Sequence, residues 1–315
     1  CAGIRASYDA SCKRLLANRM ILAWIMKSCL EEYRDAAVEE IAEKYIEGEP
    51  QIAQTAVNAD EGSREGEQIR GMDTKDSTIQ EGTVLYDIRF FALAPGAENT
   101  ISLIINVEAQ NDFYPGYPII KRGIYYCSRM ISSQYGTEFT EGHYEKIKKV
   151  YSIWICMNPP RVRENTISRY LLKEENLVGR AVEKKENYDL MTAVMICLGS
   201  QEDKGYGGIL KLLDVLLSSE KEAEEKKKIL QEEFQIRMTK TLEKEVSLMC
   251  NLSKGVEENG IQKGIKEGIK EGIKEGILSS IRNLMESMEW SAEQAMSALK
   301  VPETERPLYV DLLKR

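Results

Sequence analysis

The stretch that decides the predicted fold runs over residues 83–110 and contains two β-like runs joined by a turn. The first run is Val84-Leu85-Tyr86-Asp87-Ile88-Arg89-Phe90-Phe91, and the second is Ile101-Ser102-Leu103-Ile104-Ile105-Asn106-Val107-Glu108-Ala109-Gln110. Both runs are rich in β-branched and aromatic residues, and the segment between them, Ala94-Pro95-Gly96-Ala97-Glu98-Asn99, carries turn-forming residues. The pattern predicts an antiparallel hairpin.

The predicted hairpin brings two acidic residues together. If its centre lies between Ala97 and Glu98, Asp87 faces Glu108 across the strands. Gln110 then shares the face of Glu108, because side chains alternate along a strand. Two acids directly opposite each other repel, and a divalent ion would remove that conflict, since Mg²⁺ is usually held by one or two carboxylates with phosphate oxygens. The alternative is two unrelated solvent-facing acids, which a register slip of one residue would separate.

Four segments resemble a known family. They are YDIRF, INVEAQ, YPGYPIIKRGIYYCSRMI and KKVYSIWICMNPP, and they resemble the PD-(D/E)xK nuclease family transposases, also called recombination-promoting nucleases or YhgA-like transposases, above all the clostridial branch. The resemblance extends from about residue 69 to the C-terminal Gly-Ile-Lys-Glu repeats. It matches Asp87 and Glu108 to the acids of the motif and Gln110 to the position of the usual catalytic Lys. Gln can orient water or a phosphate oxygen, but it cannot supply the positive charge of a Lys.

The resemblance implies a restriction-endonuclease-like core and the function of a Mg²⁺-dependent DNA endonuclease, a hydrolase associated with transposition or DNA recombination. Asp87 and Glu108 would bind Mg²⁺ or another divalent cation, which polarises a phosphodiester and lowers the pKa of an attacking water. Arg122, on a helix predicted over 119–134, would hold a phosphate or partly compensate for the Lys missing at position 110. Equally, Arg122 would pair with an acid at the edge of the core.

A second function is open at this point. A nuclease-fold protein with weak or no activity could bind DNA or another protein, and both Gln110 and the acidic total charge favour that alternative. The formal net charge is −8. However, residues 116–185 contain thirteen Lys and Arg against seven Glu, a net charge of +6 (13 − 7), and local potential governs attraction to phosphate. The segment therefore predicts DNA as a partner, although ordinary surface charge explains it equally well.

Cysteine and histidine usage bounds the site chemistry and the compartment. The seven cysteines are widely spread without a CxxC pair, which predicts neither a disulfide framework nor a zinc site and indicates a reducing, cytoplasmic environment. The single histidine, His143, excludes a multi-His metal centre, and its polar context predicts a surface position. No apolar run reaches the roughly 18 residues of a membrane span, so no membrane partner is expected.

The remaining patterns predict an α/β core with a mixed sheet over residues 12–217 and an α-helical C-terminal extension over 218–315. An acid from the first helix often joins sites of the resembled kind; Glu31 and Glu32 are candidates, but no signature selects either one. The predicted elements are a helix over 12–42, a polar loop or arm over 48–82, the hairpin, a helix over 119–134, strands over 149–157 and 166–172, a segment over 188–198 that fits strand or helix by pattern and strand by resemblance, and a helix over 206–217.

The C-terminal extension contains Gly-Ile-Lys-Glu repeats over residues 260–277. On a helix, a four-residue step places the isoleucines in a row that drifts by about 40° per repeat. Each interior Gly costs about 1 kcal/mol relative to Ala, so such a helix needs a partner. The repeats predict a homo-oligomer contact through the C-terminal helices, with a flexible spacer as the alternative.

Overall fold

The computed structural model describes residues 2–52, 75–78, 82–96, 101–199, 206–218 and 221–313. The chain forms two compact units, Cys1–Ser253 and Lys254–Arg315. The helices are α1 (Ala2–Leu16), α2 (Arg19–Cys29), α3 (Val38–Glu40), α4 (Ile119–Ser132), α5 (Lys185–Tyr188), α6 (Gly208–Leu217), α7 (Ala223–Glu232), α8 (Lys240–Met288), α9 (Ala292–Ala298) and α10 (Arg306–Leu313). The strands are β1 (Ile46–Ile52), β2 (Lys75–Thr78), β3 (Gly82–Leu85), β4 (Ile88–Leu93), β5 (Ile101–Gln110), β6 (Lys149–Cys156), β7 (Thr166–Leu171) and β8 (Met191–Cys197).

The first unit is built on a six-stranded sheet with the strand order β1-β4-β5-β6-β8-β7. Strands β5, β6 and β8 are parallel, whereas β1, β4 and β7 pair antiparallel with their neighbours. The prediction of an α/β core with a mixed sheet flanked by helices is therefore confirmed. Because the parallel strands run the same way, their carboxyl ends meet at one edge of the sheet. The segment 188–198, whose pattern fitted strand or helix, contains strand β8.

The hairpin register agrees with the prediction, but its first strand is shorter than expected. Ile88 pairs with Val107 and Phe90 with Ile105, which is the predicted centre. Val84 and Leu85 belong to β3, which pairs with β2 in a separate two-stranded sheet, so a single strand over 84–91 is wrong. Asp87 lies in the bend between β3 and β4.

The single helix predicted over 12–42 is wrong. The chain forms α1 and α2 with a break between them, because the side chain of Asn18 accepts a hydrogen bond from the N–H of Met20 at 3.0 Å and begins a new helix. Part of the predicted polar loop over 48–82 is also strand: β1 pairs with β4, and its register shifts between Glu47 and Gln51. Gly48 has a φ of 62°, a conformation that suits such a bulge. The rest of that loop, apart from β2 and β3, lies outside the described residues.

Helices cover both faces of the sheet. The larger core packs α1, α2 and α6 against one face, and the smaller core packs α4 against the other. Helix α4 approaches the sheet closely at Gly123, where an added Cβ would lie 3.1 Å from Nε1 of the buried Trp154. This close approach holds α4 against β6 and β8.

The first unit continues beyond the predicted core boundary after residue 217, because apolar residues of α7, α8 and the loop between them are buried in its larger core. These residues are Leu230, Phe234, Leu242, Val246 and Met249. In the second unit, Ile281 of α8 forms a small core with Met296, Val301 and Tyr309. The Gly-Ile-Lys-Glu repeats lie within the 49-residue helix α8. Among the described residues, no helix is both long and apolar enough to cross a membrane.

A buried lysine caps a core helix and provides a stability test. Lys226 is fully buried, and its ammonium donates to the carbonyls of Leu216 at 3.4 Å and Ser218 at 2.6 Å, at the C-terminal end of α6. We expect Lys226→Met to lower the free energy of unfolding by about 1–3 kcal/mol, because both carbonyls lose a charged donor. Urea unfolding followed by tryptophan fluorescence measures this. The exposed Lys228→Met should change it by less than about 0.5 kcal/mol, and equal effects of the two would contradict the capping role.

Candidate functional site

The two predicted acids meet where β4 and β5 separate, at the carboxyl end of β5. The N–H of Asp87 donates to Oε1 of Glu108 at 3.0 Å, and the N–H of Ala109 donates to Oδ2 of Asp87 at 3.1 Å. Each carboxylate thus accepts a backbone N–H from the other strand. The structure brings the two predicted acids together.

Burial governs the electrostatics of this pair. Glu108 is 3% exposed, and the side chain of Asp87 is 18% exposed. Burial raises the pKa of Glu108 well above its ordinary value, and the charge of Asp87 raises it further. Burial also raises the pKa of Asp87, although the ammonium of Lys13 opposes that effect. Both carboxylates are therefore costly to ionise in the absence of a further positive charge.

Helix α1 supplies two site residues that the sequence reasoning missed. The ammonium of Lys13 lies 2.9 Å from Oδ1 of Asp87 and 2.8 Å from Oδ2 of Asp9, one helical turn earlier. Burial alone would lower the pKa of Lys13, but the two carboxylates raise it above its ordinary value, so Lys13 is charged. The available signal was the i, i+4 spacing of Asp9 and Lys13, which fell at the edge of the helix predicted to begin at Cys12.

Arg122 approaches the acids from α4 on the opposite face. Its guanidinium donates to the hydroxyl of Tyr126 through Nη2 at 2.6 Å and Nε at 3.0 Å, and lies 5.1 Å from the ring centre of Trp154. Its positive charge lowers the pKa of Glu108. Burial and the charge of Glu108 together raise the pKa of Tyr126 to about 12, so that hydroxyl stays neutral. Arg122 is thus placed near the acids by stacking and hydrogen bonds to aromatic residues.

Gln110 lies on the predicted strand but is turned towards the following loop. Its Nε2 donates to the backbone carbonyl of Asp112 at 2.5 Å. The amide therefore supports the loop that leads into α4, and a role in orienting water or phosphate remains a prediction for its Oε1.

The other acids considered from sequence belong to a different place. Glu32 accepts hydrogen bonds from Lys149 and Tyr151, at the amino end of β6, and Glu31 pairs with Arg169 and Lys185. Because Lys149 pairs with Leu103 in the sheet, these contacts lie at the edge opposite Glu108. The acid that helix α1 brings to the site is Asp9.

The donor set suits a hard divalent cation. Asp87 and Glu108 supply carboxylate oxygens, the ligands that Mg²⁺ prefers. Beside them, Nδ2 of Asn106 donates to Oε1 of Glu108 at 2.9 Å, while its buried Oδ1 has no hydrogen-bond partner within the described residues. No group of three or more His, Cys, Asp or Glu side chains in the described ranges is arranged to hold a metal ion.

Two further predictions concern residues outside this cluster. His143 is exposed and contacts Glu145 at 3.0 Å, which confirms its surface position. The six cysteines in the described part of the chain are free and buried.

The chain was compared with protein families, curated proteins and solved structures. No family model, no curated protein and no solved structure matches it.

The raised pKa of Glu108 predicts how stability changes with pH. The folded state keeps a proton on Glu108 at pH values where the unfolded chain has lost it, so the free energy of unfolding falls as pH rises from the ordinary pKa of 4.5 towards the raised one. We expect Glu108→Gln, which keeps the Oε1 acceptor without the charge, to remove this part of the decline. In EDTA at pH 7 it should therefore be more stable than the wild type.

Urea midpoints measured from pH 4 to pH 8 test this expectation. The exposed Glu175→Gln is a matched control and should leave the shape of the pH profile unchanged. A Glu108→Gln profile parallel to that of the wild type would show that ionisation of Glu108 does not cause the decline in the free energy of unfolding.

Proposed function

We propose that this protein is a metal-dependent endonuclease that hydrolyses phosphodiester bonds in DNA. The observation that carries the proposal is the meeting of Asp87, in the bend before β4, with Glu108 of β5, beside two cationic side chains. Two carboxylates with raised pKa values at one end of a sheet are typical of a functional site, because a sheet selected only for stability would avoid them. A restriction-endonuclease-like arrangement of the core is part of the same proposal.

Asp87 and Glu108 would hold the metal. A divalent ion bound there supplies a Lewis acid for the phosphodiester and lowers the pKa of a water nucleophile. The protein contributes a site with low exposure, in which charges interact more strongly than in water.

Lys13 and Arg122 would provide the positive charge that Gln110 cannot. Lys13 contacts Asp87 directly at 2.9 Å, and Arg122 is placed on the α4 side by Tyr126 and Trp154. A guanidinium binds phosphate oxygens through paired donors, so Arg122 would hold the substrate phosphate, while Lys13 would orient Asp87. Lys13 also explains how two opposed acids coexist in the protein itself.

The positive segment supports DNA as the substrate. Residues 116–185, net +6 by sequence, include α4 and the loop after β6. Both follow strands whose carboxyl ends form the edge that carries Glu108. An association with transposition or recombination rests on the family resemblance alone.

One observation favours a second candidate, a DNA-binding or protein-binding module without turnover. The Gln110 amide is bonded to the Asp112 carbonyl, and Lys13 already neutralises part of the charge of Asp87. Both features would weaken a metal site without disturbing the fold.

Plasmid nicking in the presence of Mg²⁺ separates the two functions. We expect the wild type to nick supercoiled DNA with Mg²⁺ but not with EDTA, and Asp87→Ala to lower the rate at least about 100-fold, because a metal ligand is lost. Lys13→Met should lower the rate by a smaller factor, since its charge acts through Asp87. Glu145→Gln, which alters an exposed acid outside the site, should match the wild type.

Calorimetry of Mg²⁺ binding gives an independent result. Binding to the wild type that is lost in Asp87→Ala, without nicking by either protein, would favour the second candidate. Absence of Mg²⁺ binding to the wild type would contradict the proposed metal site.

We also propose that two copies of the chain associate through α8. The repeat isoleucines Ile265, Ile269 and Ile273 are between 56% and 59% exposed. Each is preceded by Gly, so a ridge of isoleucines runs beside a groove of glycines, both with four-residue spacing. Ridges of this spacing pack into the matching grooves of another helix, which makes the surface complementary to itself. The next members of the row, Ile277 and Ile281, pack in the small core of the second unit.

Sedimentation velocity tests the association. We expect the wild type to form dimers and the double variant Ile269→Glu with Ile273→Glu to be monomeric, because buried charges would face each other across the ridge. Leu308→Glu, at another exposed apolar position of the second unit, is the control and should leave the dimer intact. A monomeric wild type would contradict the contact.

A further inference from the structure

A cavity of about 410 Å³ lies beside α4, at the carboxyl edge of the sheet. This is within the usual size range of small-ligand pockets. Its walls are mainly aromatic and apolar, with one guanidinium. The residues that matter here are Phe113, Tyr114, Tyr117, Arg163, Tyr170 and Cys197.

Hydrogen bonds connect this cavity to Arg122 and to Gln110. The hydroxyl of Tyr117, in the cavity wall, accepts a hydrogen bond from Nη1 of Arg122 at 3.4 Å. Gln110 donates to the carbonyl of Asp112, whose carboxylate in turn accepts the N–H of Tyr114 at 2.9 Å. The cavity wall is therefore hydrogen-bonded to Arg122, whose charge acts on Glu108, and to the loop that Gln110 supports.

The aromatic side chains of the cavity are unusually exposed. Tyr114 is 69% exposed, Tyr117 is 44% exposed and Tyr170 is 38% exposed. Phe113 lies edge-on to Tyr114, with 5.1 Å between ring centres. Large aromatic rings that are left open to solvent beside a cavity offer flat surfaces on which another planar group can stack.

The charge beside these rings is positive. The exposed guanidinium of Arg163 lies 5.9 Å from the ring centre of Phe113. Arg163 belongs to the segment 116–185 with its net charge of +6. A ligand that is planar and apolar at one end and anionic at the other fits this combination, and a nucleotide has both properties.

We propose that the cavity binds an unpaired nucleobase of the DNA substrate, with an adjoining phosphate at Arg163. This inference rests on the proposed function and specifies its substrate: a strand that is single, or locally opened, next to the phosphodiester held at the acid pair. Base stacking on aromatic side chains tolerates any sequence, because every base has a flat face. The base would be held by Tyr114 and Tyr170, and Tyr117 would link its position to Arg122.

Binding of the full-length chain in EDTA tests the inference without requiring cleavage. The probes are an end-labelled 12-nucleotide single strand and the same strand with an abasic central stretch, both followed by fluorescence anisotropy. We expect the intact strand to bind about tenfold more tightly, because the abasic strand keeps its phosphates but loses the stacking contacts. Tyr114→Ala combined with Tyr170→Ala should reduce this ratio towards one.

Matched variants distinguish stacking in the cavity from a general loss of DNA binding. Tyr135→Ala removes an exposed tyrosine outside the cavity and should keep the tenfold ratio. Arg163→Gln should weaken both probes and reduce the slope of log Kd against log salt by about one, because one phosphate contact is lost. Circular dichroism verifies that each variant is folded.

The inference is overturned if neither strand binds, if both bind equally, or if Tyr135→Ala lowers the ratio as much as the pocket variants do. Its failure differs from failure of the nuclease assignment. A protein that distinguishes the two strands but never nicks DNA retains the pocket and loses the catalytic function, whereas nicking without discrimination does the reverse.

Discussion

The exchange of hydrogen bonds between the Asp87 and Glu108 segments is the constraint on which the first unit depends. A buried carboxylate is tolerated only when donors or opposite charges surround it. Backbone N–H groups of the partner strand provide the donors here, and Lys13 and Arg122 approach from the two helical layers. Lys13 of α1 contacts Asp87 directly, whereas Arg122 of α4, on the opposite face of the sheet, acts on Glu108 through its charge.

The proposed function calls for a positive charge beside the acids, and Lys13 of α1, 2.9 Å from Oδ1 of Asp87, would supply it. Such a charge can come from any helix or strand whose side chain reaches the acid pair, whatever its position in the sequence. Gln110 instead supports the loop before α4, through its bond to Asp112.

The sequence predicted the parts of this arrangement that depend on local pattern. Strand alternation and the turn between the hairpin strands gave the register, and therefore the meeting of Asp87 and Glu108. The pattern did not predict that strand pairing stops at Ile88. It stops there because the N–H of Asp87 donates to the side chain of Glu108 instead of to the backbone of β5. The contact with Lys13 joins residues far apart in sequence, and the cap at Asn18 competes with an apolar pattern that continues through it. Long-range packing and side-chain bonds to the backbone leave little trace in periodicity.

The order of the strands has a consequence for synthesis of the protein. Lys13 leaves the ribosome long before Asp87, and strand β8, which lies beside β6 and forms part of the cavity wall, follows much later. The parallel pairing of β5, β6 and β8 joins segments distant in the chain, so it cannot form while the chain is still short. The sheet that carries the acid pair is therefore completed only after β8 has been translated, long after the acids themselves.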